Sequence, residues 1–118
     1  MRFNILNGTA LVGWSELERG DPPMGCASGR FYPEPAYSEI KAYVVSTLDT
    51  VQDKLRLTVH TSDGEQLDPI GGVRISDLSS ELGEAEGLEV EVVGVSYPTY
   101  ERLFPNHVQA YDEQFKAG

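Results

Sequence analysis

The sequence predicts an α+β fold, a mainly antiparallel sheet of about six strands with two or three helices packed on one face. Glycine turn signals sit between apolar runs, and short segments alternate apolar with polar residues. A few other stretches repeat apolar residues at helical spacing.

The strands come first. Arg2-Phe3-Asn4-Ile5-Leu6 leads into Asn7-Gly8 and then Thr9-Ala10-Leu11-Val12-Gly13-Trp14. Asn-Gly between apolar runs is a hairpin signal, because both central residues of a type I′ turn need positive φ. The expected turn is therefore centred on Asn7 and Gly8. Residues 54–60 alternate, with Leu55, Leu57 and Val59 on one face, and Asp63-Gly64 marks a second turn of the same chemistry. Residues 88–92 alternate too, placing Leu88, Val90 and Val92 inward and Glu89 and Glu91 toward water.

Helical signals are fewer. After Pro33-Glu34-Pro35, the residues Tyr37, Ile40, Val44 and Leu48 recur at helical spacing, and Val51 and Leu55 could extend the series. Proline is well tolerated in a first turn, while the β-prone run Tyr43-Val44-Val45-Ser46-Thr47 favours an early end. Residues 76–83 read as a short helix capped by Ser76 or Asp77, with Leu78 and Leu82 on one face and Gly83 at the stop. Val108, Tyr111 and Phe115 predict a last helix over 106–115 after Pro105.

A chain of 118 residues is expected to form one domain with its own core. A faint repeat runs through it. Asn7-Gly8 and Asp63-Gly64 each precede a passage from strand through Tyr-Pro into a helical segment, at Tyr32-Pro33 and Tyr97-Pro98. The pattern raises a duplicated βββα unit over 1–53 and 54–118, with extra residues near Asp77 in the second copy.

Charge bounds the partners. The chain carries 19 acids against 9 bases, a formal charge of −10. Residues 54–118 hold 12 acids and 5 bases, and the 27 residues between Arg74 and Arg102 hold seven acids and no base. These seven are Asp77, Glu81, Glu84, Glu86, Glu89, Glu91 and Glu101. Such a balance opposes direct binding of nucleic acid or anionic membrane, since phosphate binding works largely by releasing counterions to Lys and Arg. No apolar run approaches the roughly 20 residues of a membrane span, and the first residues lack a signal peptide's apolar segment. The single cysteine, Cys26, excludes an internal disulfide, so a reducing cytoplasm is the expected location.

Several residues are candidates for chemistry. Asp21-Pro22-Pro23-Met24-Gly25-Cys26-Ala27-Ser28-Gly29 combines rigid prolines with small residues. It reads either as the floor of a ligand loop, with Asp21, Met24, Gly25, Cys26 and Arg30 contributing, or as a strand running under a tightly packed helix, with glycines making bulges. Cys26 would need a base and an orienting group to act as a nucleophile, and neither His60 nor His107 lies in a motif that predicts this. Cys26 otherwise reads as a small buried apolar residue. His60 lies near Asp63, Glu65 and Asp68, but the spacing matches neither a zinc motif nor a calcium loop. No metal or other cofactor is expected. The pairs Glu16/Glu18, Glu84/Glu86 and Glu89/Glu91 have the spacing of two carboxylates on one strand face, yet they lack signs of a desolvated pocket. Trp14, Tyr32, Tyr37, Tyr97 and Tyr100 read either as interface aromatics or as residues packing the helices down.

Three functional readings follow in order. The first is a small acidic protein-binding module without chemistry of its own. Its partner is a basic protein, met by Asp77, Glu81, Glu84, Glu86, Glu89, Glu91 and Glu101 together with Tyr97 and Tyr100. In size and charge the chain resembles bacterial immunity proteins and antitoxins that block a basic nuclease, or mimics of nucleic acid. That resemblance lies in composition alone and transfers no residue role. The second reading is a self-associating scaffold or homodimer, since few lysines protect the strand edges. The third is a small enzyme or small-molecule binder using the Asp21–Gly29 loop.

Overall fold

A computed structural model of the chain describes residues 1–48 and 50–116, with backbone alone for 115 and 116. The fold is α+β, with eight strands in two antiparallel sheets of four. The first sheet holds β1 (Phe3–Asn7), β2 (Ala10–Ser15), β5 (Tyr32–Pro33) and β6 (Leu57–Thr61), in the order β5-β2-β1-β6. The second holds β3 (Arg19–Asp21), β4 (Cys26–Arg30), β7 (Gly72–Asp77) and β8 (Leu88–Val93), in the order β3-β4-β8-β7. Helices α1 (Lys41–Ser46), α2 (Ser79–Leu82), α3 (Glu84–Gly87), α4 (Thr99–Leu103) and α5 (Pro105–Lys116) complete it, with 3₁₀ turns at Pro22–Met24 and Pro35–Glu39. Among the described residues, no helix is long and apolar enough to cross a membrane.

The class and the antiparallel pairing agree with expectation, and the strands are shared between two sheets instead of lying in one. Residues 1–53 supply five of them and residues 54–118 three, so each sheet mixes both parts of the chain. The inward side chains of both sheets form one core, with Phe3, Ile5, Val12 and Val59 from the first and Ala27, Ile75, Val90 and Val92 from the second. The alternation read along 88–92 holds, with Leu88, Val90 and Val92 buried. On β6, Val59 and Thr61 are buried, and the strand begins at Leu57.

Local chemistry explains the departures. The first hairpin closes one residue later than expected: Asn7 pairs with Ala10, and Gly8 at φ 62° is the first turn residue. Thr9 keeps a negative φ, so the turn follows the type II′ pattern, with glycine first. Asn7 instead uses its side-chain carbonyl to accept the Arg56 N–H at 2.8 Å, which ties β1 to the entry of β6. The helix expected from Tyr37 onward splits into a 3₁₀ turn and six residues of α1, with Tyr37, Ile40 and Val44 buried and Val51 exposed. Its early end matches the β-branched run after Tyr43. The short helix starts at Ser79, because residues 76 and 77 complete β7, and it stops at Gly83. The last helix forms as expected with Val108 packed on the core, and the side chain of Phe115 lies outside the described residues.

The edge of β7 is covered by side chains from the loop after α1. Gln52 Nε2 donates to the Ile75 carbonyl at 2.7 Å, and Ile75 N–H donates back to Gln52 Oε1 at 3.1 Å, copying one rung of a strand ladder. The Arg74 guanidinium donates to the carbonyls of Thr47, Leu48 and Thr50, just beyond the end of α1.

Asp77 is the clearest correction. It was expected on an exposed acidic face, but it is 4% exposed at the end of β7. The Tyr37 hydroxyl donates to its Oδ2 at 2.5 Å, and the Ser79 hydroxyl and N–H donate to Oδ1 at 2.5 and 2.9 Å. Burial pushes the carboxyl up, but the hydrogen bonds from Ser79 and Tyr37 and the charge of Lys41 outweigh it and hold it below the usual range. Burial, then the bond to Asp77 and its charge, keep the Tyr37 hydroxyl protonated far above ordinary phenol values. A carboxylate whose folded pKa is lowered stabilises the fold above its unfolded pKa, and that stability is lost as pH falls through the folded value. Denaturant titrations are expected to show Tyr37→Phe costing about 1–3 kcal/mol at neutral pH. Asp77→Asn should also be less stable there, with a shallower loss than the native chain below about pH 4. Parallel acid limbs would show that Asp77 is not held in this way.

Candidate functional site

The chain crosses to the second sheet between β2 and β3 and returns to the first between β4 and β5, and these two crossings are neighbours. Between β2 and β3, Leu17 is fully buried with φ 46°, a left-handed conformation that non-glycine residues seldom adopt. Its N–H donates to Ser15 Oγ at 3.0 Å, and its carbonyl lies 2.7 Å from His107 Nε2, which donates to it from α5. Where β4 leaves the second sheet, the Arg30 N–H donates to Glu18 Oε2 at 2.9 Å. The Glu18 carboxyl lies over Gly29, in space that a β-carbon would fill. Both crossings are thereby tied together and to α5.

The segment 21–29 is neither one loop nor one strand: it ends β3 at Asp21, turns, and enters β4 at Cys26. Pro22–Met24 makes a 3₁₀ turn that Gly25 closes at φ 65°, with a β-carbon at Gly25 excluded by the Val95 carbonyl. Cys26 then pairs with Asp21 of β3, and residues 27–30 pair with β8. The ligand-loop residues scatter. Asp21 and Cys26 share a cavity of about 210 Å³ with Arg19 and Glu91, while Met24 and Arg30 lie outside it. Arg30 sits with its guanidinium 4.5 Å from the centre of the Tyr32 ring. Tyr32 stacks on Trp14 at 4.1 Å, and Arg2 covers Trp14 at 4.2 Å. Two stacked rings thus lie between two guanidiniums, an arrangement the sequence does not disclose because Arg2 and Trp14 are remote from Arg30 and Tyr32 along the chain.

Nucleophilic catalysis by Cys26 gains no partner. Its Sγ approaches the Met24 carbonyl at 3.6 Å, whereas His60 bonds Thr58 on the first sheet and His107 bonds Leu17. Near His60, Asp63 accepts from the Thr61 hydroxyl, and Glu65 forms a two-pronged pair with Arg102 at 3.1 and 2.5 Å. Among the described residues, no three His, Cys, Asp or Glu side chains are grouped to hold a metal ion. Asp21 and His107 do line one groove of about 430 Å³ with Glu18, Pro22 and Tyr111.

The acidic window divides among three places. Glu81, Glu84 and Glu86 are exposed on α2 and α3. Glu89 and Glu91 face outward on β8, and Glu89 is paired with Arg19 at 3.2 Å. Glu101 lies on α4, across a groove of about 340 Å³ from Asp112 and Glu113 on α5. Tyr100, expected at the partner surface, is fully buried, and its hydroxyl donates to the Cys26 carbonyl at 2.7 Å. Tyr97 is 48% exposed, lies on Tyr100 with ring centres 5.6 Å apart, and reaches the Pro22 carbonyl at 3.4 Å. Partial burial raises the Tyr97 hydroxyl above its usual pKa, helped by the charges of Glu101 and Asp112 and by Tyr111.

No family model matches the chain, and neither does any curated protein or solved structure.

The two stacked tyrosines should separate cleanly in stability. Tyr100→Phe leaves the Cys26 carbonyl without its buried donor and is expected to cost about 1–3 kcal/mol. Tyr97→Phe removes only a long, half-exposed bond and should stay within about 0.5 kcal/mol of the native chain. Urea titrations of both variants check this, and an equal loss would contradict the assignment of Tyr100 to the core and Tyr97 to the surface.

Proposed function

We infer that the chain is an acidic protein-binding module whose partner presents a basic surface. The observation that carries this reading is the set of exposed carboxylates left outside ion pairs. Among the described residues, the ion pairs engage Glu34, Glu89 and Glu65, and none engages Glu81, Glu84, Glu86, Glu91 or Glu101. Unneutralised charge on a folded platform attracts an opposite charge over distances comparable to the Debye length, so it acts mainly on encounter and on partner choice. The buried core and the covered edge of β7 support the platform half of the reading, because a rigid surface loses little entropy on binding. Binding that neutralises a basic nuclease, as immunity proteins and antitoxins do, is the specific form favoured by size and charge.

Calorimetric titration against a panel of purified basic nucleases, repeated between about 0.05 and about 0.3 M salt, tests the reading. A partner is expected whose activity is inhibited and whose affinity falls steeply with salt. Absence of binding across the panel, or affinity indifferent to salt, would contradict it.

A further inference from the structure

The carboxylates alone do not define a docking place, and Leu82 is exposed beside Glu81 on α2, but the turn before α4 combines acids with an exposed aromatic ring as well as an exposed methionine. The 3₁₀ turn Pro22–Met24 is fastened to the loop before α4 by the Val95 N–H, which donates to the Gly25 carbonyl at 2.8 Å. The Pro22 carbonyl accepts from both Gly25 N–H and the Tyr97 hydroxyl. Met24 is 64% exposed on this turn and Tyr97 48% exposed beside it. Pro22 and Tyr111 line one groove, with exposed Asp21 at its side. Tyr97 lies two residues before α4, which carries Glu101, and the Tyr100 N–H donates to the Ser96 carbonyl at the entry of that helix. Glu101 in turn faces Asp112 across the α4–α5 groove.

We propose that this tip, Met24 and Tyr97 flanked by Asp21, Glu101 and Asp112, is the docking surface, and that its occupant is an arginine-bearing segment of a basic protein. The proposal rests on the binding reading above and adds its place and its chemistry. A guanidinium laid on the outer part of the Tyr97 ring gains cation–π attraction, and its N–H groups reach carboxylates as charge-assisted donors. Arginine suits the site better than lysine, because its planar fork can stack and donate together. The chain already uses this contact internally, with Arg2 on Trp14 and Arg30 on Tyr32 at 4.2 and 4.5 Å from the ring centres. Met24 supplies an adaptable apolar contact beside it.

The probe is nona-arginine, with nona-lysine for comparison, titrated calorimetrically into the full chain. Two variants remove the same charge from different places: Glu101→Gln with Asp112→Asn at the tip, and Glu84→Gln with Glu86→Gln on α3. The tip pair is expected to weaken nona-arginine binding about tenfold, and the α3 pair by less than about threefold. Tyr97→Leu should weaken it about threefold to fivefold and reduce the preference over nona-lysine. The chain has two methionines, so its methyl spectrum separates Met24 from Met1, and only Met24 should shift on titration. Equal losses from both charge pairs, or a still Met24 methyl in the bound chain, would overturn the tip while leaving the acidic-module reading intact. A native chain that binds neither peptide at low salt would overturn both. If the free chain dimerises in sedimentation and Tyr97→Leu abolishes the dimer, the occupant is a second copy and the proposal fails.

Discussion

The hydrogen bond from His107 to the Leu17 carbonyl, with the left-handed turn it secures, is the constraint on which the outer surface depends. Leu17 is where the chain leaves the first sheet for the second, and its backbone conformation is one that a leucine adopts only when its surroundings hold it there. Ser15 holds it from the amide side and α5 from the carbonyl side. Once that crossing is set, β3 follows, then the turn at Pro22–Met24, and α5 lies against both. The tip with Met24 and Tyr97 is therefore a consequence of how two sheets share one core.

The elements that the sequence disclosed were those with a strict period and a buried face. Leu88, Val90 and Val92 could be read directly, because glutamates separate them. The strand over Cys26–Arg30 offered no such contrast: Ala27 and Gly29 face inward against Ser28 and Arg30, and small residues leave little periodic signal. Its companion β7 alternates only in Val73, Ile75 and Asp77, and the last of these is an acid. The hairpin at Asn7 was visible but its register was not, since Asn-Gly and Gly-Thr are both sound turn pairs and the choice fell to the bond between Asn7 and Arg56. Long-range partners were beyond reach for the same reason. Nothing near Asp77 in sequence announces Tyr37, and nothing near Tyr97 announces Pro22 or Asp112.

Charge in this chain serves unlike ends. Asp77 is an internal anchor, held by hydroxyls and a backbone amide. Glu18 fastens a strand crossing, and Glu65 and Glu89 neutralise arginines at the surface. The acids on α2 and α3 and those around Tyr97 remain exposed and open to a partner. Net charge thus overstates how concentrated the field is, and geometry selects which carboxylates lie beside apolar contact area. Interfaces draw most of their energy from a few aromatic anchors within a polar rim, and the Tyr97 tip alone among the acidic places described here adds an exposed aromatic ring.

Mass-spectrometric footprinting of carboxyl groups tests this account most directly, by labelling the chain with a carbodiimide and an amine in the presence and absence of nona-arginine. Labelling is expected to drop at Asp21, Glu101 and Asp112 while Glu81, Glu84 and Glu86 keep their free-chain reactivity. Protection spread evenly over all six, or concentrated on α2 and α3, would contradict it.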